Sequence, residues 1–261
     1  MANELAEKKS FSVMLTEELT GIREALPDKF NTPRFVQNSL AFLNGNDSLI
    51  KFSRQYGKQG TSQILMGFVR AATLGLDAMH GECYLVPYGS AINFVTSYKG
   101  MVKMVKKYSQ DPVKRVTVDV LHEGDTIKVN VVDGHKSLEM NIDPLSTKPV
   151  IGVVAECIYL DGGIEYEVMS KDELEAVRQQ SKAKNSLAWS TFTEEMYKKV
   201  CIRRLCKRIT LDLDANIAKE LDSGIELETD QKVLAQQEIS ENENSEDFQE
   251  IIDTEGMVVD S

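Results

Sequence analysis

Apolar and polar positions first recur with a helical period in this chain. Residues spaced three and four apart mark helices over Leu15–Leu26, Pro33–Leu43 and Thr61–Leu76. Pro33 stands where a first-turn proline is tolerated, and Gly75 closes the third segment. The period then changes to two. Glu82–Pro87 and Ala91–Thr96 flank Tyr88-Gly89-Ser90, which predicts a hairpin. A short helix over Ser97–Tyr108 is followed by strands at Val113–His122 and Thr126–Val132, joined through Glu123-Gly124-Asp125. A further hairpin runs Val150–Leu160, Asp161-Gly162-Gly163, Ile164–Met169, and Ser170 with Glu173 forms a capping-box pattern. One long helix is expected from Leu187 to Ile209. Strands in hairpins with helices before, among and after them define an α+β fold: a small antiparallel sheet packed with helices, one long basic helix and an acidic tail.

No fixed-period repeat is present, which excludes solenoids and propellers. The 261 residues divide into a helical N-terminal arm (1–32), a core for binding and oligomerisation (33–218) and an acidic C-terminal segment (219–261), expected to be disordered. Nothing approaches the ~20 consecutive apolar residues of a membrane span, and the first ten residues lack a secretory apolar centre. A cytoplasmic protein with no membrane contact is expected. Cys83, Cys157, Cys201 and Cys206 are expected to be free thiols.

The net charge of −11 speaks against a polyanionic ligand only until it is mapped. Residues 219–261 hold two basic and fourteen acidic side chains, a balance of −12, so residues 1–218 stand at +1. In Ser97–Tyr108 the helical period gathers Lys99, Lys103, Lys106 and Lys107 on one face and Met101, Val102, Met104 and Val105 on the other. An ordinary solvated helix interleaves acids with lysines, because opposite charges four apart stabilise it. This face has none. Between Met196 and Thr210, Lys198, Lys199, Arg203, Arg204, Lys207 and Arg208 accumulate without an acid, while Ile202, Leu205 and Ile209 form an apolar stripe. Like charges crowded in this way favour a polyanion as ligand, and arginine adds a planar fork for phosphate. Tyr84, Tyr88, Phe94 and Tyr98 lie near the first patch, where each packs in the core or stacks on a base. No zinc finger or RNP motif is present, so backbone binding without sequence readout fits best.

Other chemistry is weakly represented. No Gly-x4-Gly-Lys-Ser/Thr loop exists for nucleotide phosphates, so no ATP dependence is expected. His80-Gly81-Glu82 lacks the second half of a zinc-deaminase motif, and no serine or cysteine occupies a nucleophile turn. Two alternatives stay open. One is a metal-dependent nuclease using acids such as Asp125 with Asp133 or Glu156 with Glu165; the other is an assembly or scaffold protein whose basic faces meet acidic tails of neighbouring copies.

Several blocks together resemble the RecT family of phage and prophage single-strand annealing recombinases. They are Gly81-Glu82-Cys83-Tyr84-Leu85-Val86-Pro87-Tyr88-Gly89, Ser97-Tyr98-Lys99-Gly100-Met101-Val102 and His122-Glu123-Gly124-Asp125. Further on come Tyr166-Glu167-Val168-Met169-Ser170-Lys171, Ser181-Lys182-Ala183, Trp189 and Glu194 through Leu205. The resemblance implies a non-enzymatic protein that binds single-stranded DNA without ATP and pairs complementary strands through an annealed duplex intermediate. It also implies a ring or helical homo-oligomer beside a partner exonuclease or host single-strand binding protein met by the tail, with Mg²⁺ at most a modulator. The DNA-binding positions implied are Lys99, Lys198, Lys199, Arg203, Arg204 and Lys207; Val105-Lys106-Lys107-Tyr108 departs from the Ala-Arg-Arg-Ser run of many relatives, keeping charge but not guanidinium geometry. The tail has a competing reading, in which it folds back on the basic groove as a DNA mimic.

Overall fold

The structure is a computed structural model and describes residues 2–132, 135–181, 184–185 and 187–212. The acidic segment 219–261 and Asp133 lie outside the described residues. The fold is α+β, with seven α-helices and three small sheets among the described residues. It divides into two compact units whose segments alternate along the chain.

The first unit runs to Arg115 and adds Tyr159–Asp161 and the described stretch from Cys206. Helix α1 (Ala2–Gly21) buries Phe11, Leu15 and Leu19, a spacing of four that keeps them on one stripe. Helix α2 (Thr32–Asn44) begins at Asn31, whose side chain accepts the Arg34 N–H, with Pro33 in the first turn. Helix α3 (Asp47–Leu74) starts fourteen residues before the Thr61 predicted from the sequence. Its first half was obscured by Gly57 and Gly60, and Gly57 takes φ +56° and ψ −131°, a kink that interrupts the regular period.

Hairpin β1 (Cys83–Tyr88) and β2 (Ala91–Thr96) pairs Cys83 with Thr96 through Tyr88 with Ala91. It packs on α3 at Gly67, where an added Cβ would lie 1.9 Å from Leu85 Cδ2. Leu85, Phe94, Ile64, Phe68 and Phe11 share this core. Helix α4 (Tyr98–Tyr108) follows directly, capped by Ser97, whose hydroxyl accepts the Gly100 N–H.

The second unit comprises Val116–Ile158 and Gly162–Leu205. Strand β3 (Val113–His122) does not pair with β4 (Thr126–Val132). Instead β4 forms a hairpin with β5 (His135–Asn141), while β3 joins β6 (Val150–Tyr159) and β7 (Ile164–Ser170) in the order β3-β6-β7. Strand β5 left little trace in the sequence because only Leu138 and Met140 supply apolar alternation. Helix α5 (Lys171–Gln180) starts at Ser170, and both halves of its capping box form.

The single helix expected over 187–209 is two, α6 (Leu187–Thr191) and α7 (Thr193–Arg208). Thr193 Oγ1 donates to the Trp189 carbonyl at 2.7 Å, occupying the acceptor that helix continuity would offer to the Thr193 N–H. Trp189 is buried, with Tyr197 edge-on at 6.2 Å and the Arg178 guanidinium 5.6 Å from its ring. No helix among the described residues is long and apolar enough to cross a membrane.

Candidate nucleic-acid interface

The segregation read from the sequence of α4 appears in the structure as burial. Gly100, Met101, Met104 and Val105 are buried, whereas Lys99, Lys103, Lys106 and Lys107 are exposed. Gly100 sets how closely the helix approaches β1: a Cβ there would stand 2.0 Å from the Glu82 carbonyl oxygen. The Ser97 hydroxyl also donates to the Gly81 carbonyl at 2.6 Å. The start of the helix is therefore fixed against the carbonyls of Gly81 and Glu82.

The four lysines are not equivalent. Lys103 Nζ lies 2.6 Å from Glu82 Oε2, which also accepts the Asp77 N–H at 2.8 Å. Asp77 in turn accepts from Asn38 Nδ2 at 2.6 Å and faces His80 Nδ1 at 3.1 Å. Lys103 is thus the outer end of an acid-rich network inside the same unit. Burial pushes the Lys107 ammonium below the usual lysine range, and neighbouring Lys103 adds to the effect while Asp28 opposes it. Its Nζ lies 4.7 Å from the Tyr108 ring centroid. Lys99 and Lys106 have no carboxylate partner among the described residues. Tyr98 and Tyr84 are half-buried, Tyr88 is exposed, and Phe94 is core with the Arg70 guanidinium 5.8 Å from its ring.

Helix α7 buries Met196, Tyr197, Cys201, Ile202, Leu205 and Cys206, with Ile209 just beyond it. Cys201 Sγ approaches the Val153 and Glu167 carbonyls at 3.7 and 3.5 Å. Burial, reinforced by Glu167, raises this thiol to about 12. Tyr197 donates its hydroxyl to Glu175; burial first, then this carboxylate, raise the phenol to about 12.

The basic side chains of α7 divide by environment. Arg204 Nε lies 3.0 Å from Glu167 Oε1 and its NH1 3.6 Å from Glu173 Oε1, although the arginine itself is 51% exposed. Lys198 pairs with Glu195 at 2.7 Å. Lys199 and Arg203 are half-buried, and Lys207 and Arg208 are exposed. The last two belong to the same compact unit as α4.

The acids that engage Lys103 and Arg204 were missed from sequence. Glu82 precedes β1 and Glu167 is only 8% exposed on β7, so neither shares a helix with its cation. The strand parity of Glu167, opposite Ala155 in the β6–β7 ladder, was the available signal. The same ladder separates Glu156 from Glu165: Glu156 opposes Tyr166 and Glu165 opposes Cys157, which puts the two acids on opposite faces. Glu156 is buried, and Glu165 lies 3.6 Å from Lys136. Asp125 accepts the His122 and Asp143 N–H groups, which hold its carboxyl below the usual range and make it a turn residue.

An α+β chain with a lysine-only helix face and a second cation-rich helix matches the RecT family over residues 33–246, and it belongs to that family. It is 29% identical over 176 residues to Protein RecT of Escherichia coli (strain K12), covering 64% of each chain. It is also 22% identical over 213 residues to the uncharacterized protein YqaK of Bacillus subtilis (strain 168), covering 80% of this chain and 69% of the relative. The match thus spans slightly less than two thirds of the Escherichia coli protein.

Proposed function

We propose that this protein binds single-stranded DNA along its phosphates and promotes pairing of complementary strands without ATP. The observation that carries the reading is α4, whose polar face is lysine throughout and exposed while its other face is buried in the core. Lys99 and Lys106 are its most available cations; Lys207 and Arg208, exposed in the same unit, add positive charge. Lys103 and Lys198 divide their charge with a carboxylate, and Arg204 serves chiefly to hold β7 and α5.

Phosphate contacts leave base edges open to a second strand. Annealing then needs no fuel, because stacking and pairing supply ~1.4 kcal/mol per step. The protein lowers phosphate repulsion and keeps bases aligned. The family resemblance extends the proposal to a ring or helical homo-oligomer, in which neighbouring protomers raise effective concentration along the strand, and to an exonuclease or single-strand binding protein as partner.

Retention of oligo-dT on a filter across a salt series tests the reading. With about four phosphates neutralised per protomer, log K falls against log salt with a slope near −2.8, roughly fifty-fold between 50 and 200 mM. The double variant Lys99→Ala with Lys106→Ala lowers that slope by about 1.4. An unchanged slope would remove α4 from the interface. In a magnesium titration, labelled complementary oligonucleotides should anneal without shortening; shortened products would favour the nuclease alternative, which the opposite faces of Glu156 and Glu165 disfavour.

A further inference from the structure

We infer that Gly81 is the floor of a phosphodiester subsite, in which the Lys99 ammonium and the Tyr84 hydroxyl hold the same phosphate of a single strand. The subsite deepens the DNA-binding reading above and rests on it. Every residue involved belongs to the first unit. The backbone at Gly81 is fixed. Its N–H donates to the Ala78 carbonyl at 2.9 Å, its carbonyl accepts the Ser97 hydroxyl at 2.6 Å, and its φ of +65° lies where a side chain would be strained. The missing side chain leaves open ground bordered by two polar groups. A Cβ on Gly81 would stand 3.7 Å from Tyr84 Oη and 4.0 Å from Lys99 Nζ; among the described residues, no other atom outside His80 and Glu82 comes within 4 Å of that point. A hydroxyl from β1 and an ammonium from α4 therefore border one space.

The charge around that space suits an anion. Glu82 already accepts the Lys103 ammonium and the Asp77 N–H, and Asp77 accepts from Asn38 and the Met79 N–H and faces His80. Lys99 is exposed and has no carboxylate partner among the described residues. A phosphodiester brings two non-bridging oxygens, one for the ammonium and one for the hydroxyl. A tyrosine hydrogen rotates among acceptors, and an anionic oxygen draws it more strongly than a neutral one. The absent Cβ lets the strand's own backbone settle against the protein, so the contact holds any sequence alike. The two donors contribute differently. Lys99 displaces a counterion and enters the salt slope, whereas the neutral hydroxyl adds affinity that salt does not remove.

The test uses the full chain and compares the wild type, Tyr84→Phe, Lys99→Ala and the double variant for oligo-dT retention across a salt series. Tyr84→Phe keeps the ring and should weaken binding about tenfold, as for a lost hydrogen bond to a charged group, by the same factor at every salt concentration. Lys99→Ala should flatten the slope by about 0.7. Without Lys99 the phosphate is no longer drawn over Gly81, so adding Tyr84→Phe should cost less than about threefold more. Unchanged affinity of Tyr84→Phe, or the same tenfold loss in both backgrounds, would overturn the shared phosphate. A second measurement needs no variant. Acetic anhydride modifies exposed lysine amines, and bound oligo-dT should suppress modification of Lys99 in the wild type, read by peptide mass spectrometry. Lys99 that reacts equally with and without bound oligo-dT would overturn the subsite and leave the DNA reading in place. Wild-type protein that fails to retain oligo-dT at low salt would end the DNA reading, and the subsite with it.

Discussion

Arg204, expected from the sequence to contact DNA, also ties elements of its own unit together in the structure. It faces Glu167, which is nearly enclosed, and Glu173, the capping-box acid of α5. Arg204→Gln should therefore lower stability by about 1–2 kcal/mol in urea unfolding, because Glu167 loses a charged partner, while the salt slope for oligo-dT stays unchanged. A flattened slope would return Arg204 to the DNA-contact set. Glu173 is held below the usual carboxyl range chiefly by the Ser170 N–H, then by the Ser170 hydroxyl and by Arg204. A depressed carboxyl stabilises the fold above its ordinary value and loses that contribution as pH falls through its lowered one. Glu173→Gln should accordingly weaken the protein at pH 7 and flatten its loss of stability on acidification, both readable by circular dichroism. The basic set was legible because lysines and arginines recur within two short stretches. The pairing of Lys103 and Arg204 with acids was not, because Glu82 lies 21 residues from Lys103 and Glu167 lies 37 from Arg204, and only tertiary packing brings each pair together.

At the scale of elements, α4 owes its position to a missing side chain. Gly100→Ala places a methyl 2.0 Å from a backbone oxygen that cannot swing aside, so the helix has to lift from β1. The expected loss is about 3 kcal/mol, measured by thermal unfolding, with oligo-dT binding weakened as the lysine face shifts. Gly152→Ala should behave alike in stability, because its Cβ would stand 2.6 Å from the Met169 carbonyl oxygen. Helices α2 and α4 and the hairpins β1–β2 and β6–β7 were readable because their signals are local: Pro33 in a first turn, lysines and apolar residues segregated at a helical period, and glycine turns at Gly89 and Gly162. The first half of α3 and strand β5 were not. Gly57 breaks the helical period in one, and too few apolar residues mark the other. The break before α7 has no local signal in the sequence, because Thr193 differs from an ordinary helical residue only in the bond of its hydroxyl to the Trp189 carbonyl.

For the whole molecule, the four thiols and the single tryptophan report on cohesion. Cys83 of the first unit and Cys157 and Cys201 of the second are buried, and burial raises the Cys83 and Cys201 thiols well above their ordinary value. All four should resist a disulfide reagent at pH 8 in native protein. In rising urea, labelling of Cys83 and Cys201 should accelerate over the same range as the Trp189 emission shift. Labelling of Cys83 at lower urea than Cys201 would show that the units open separately.

The alternation of segments also constrains how the protein can be made. The second unit needs α7 as far as Leu205, and the first takes up chain again from Cys206 to complete the Leu211 bridge to Ser109. A ribosome must therefore translate beyond residue 205 before either unit has all its parts, so the nascent polypeptide cannot finish one unit and then begin the next. Translation stalled before Cys201 should yield chains that proteases digest readily from end to end, and the released protein should acquire resistance in both units within one short interval.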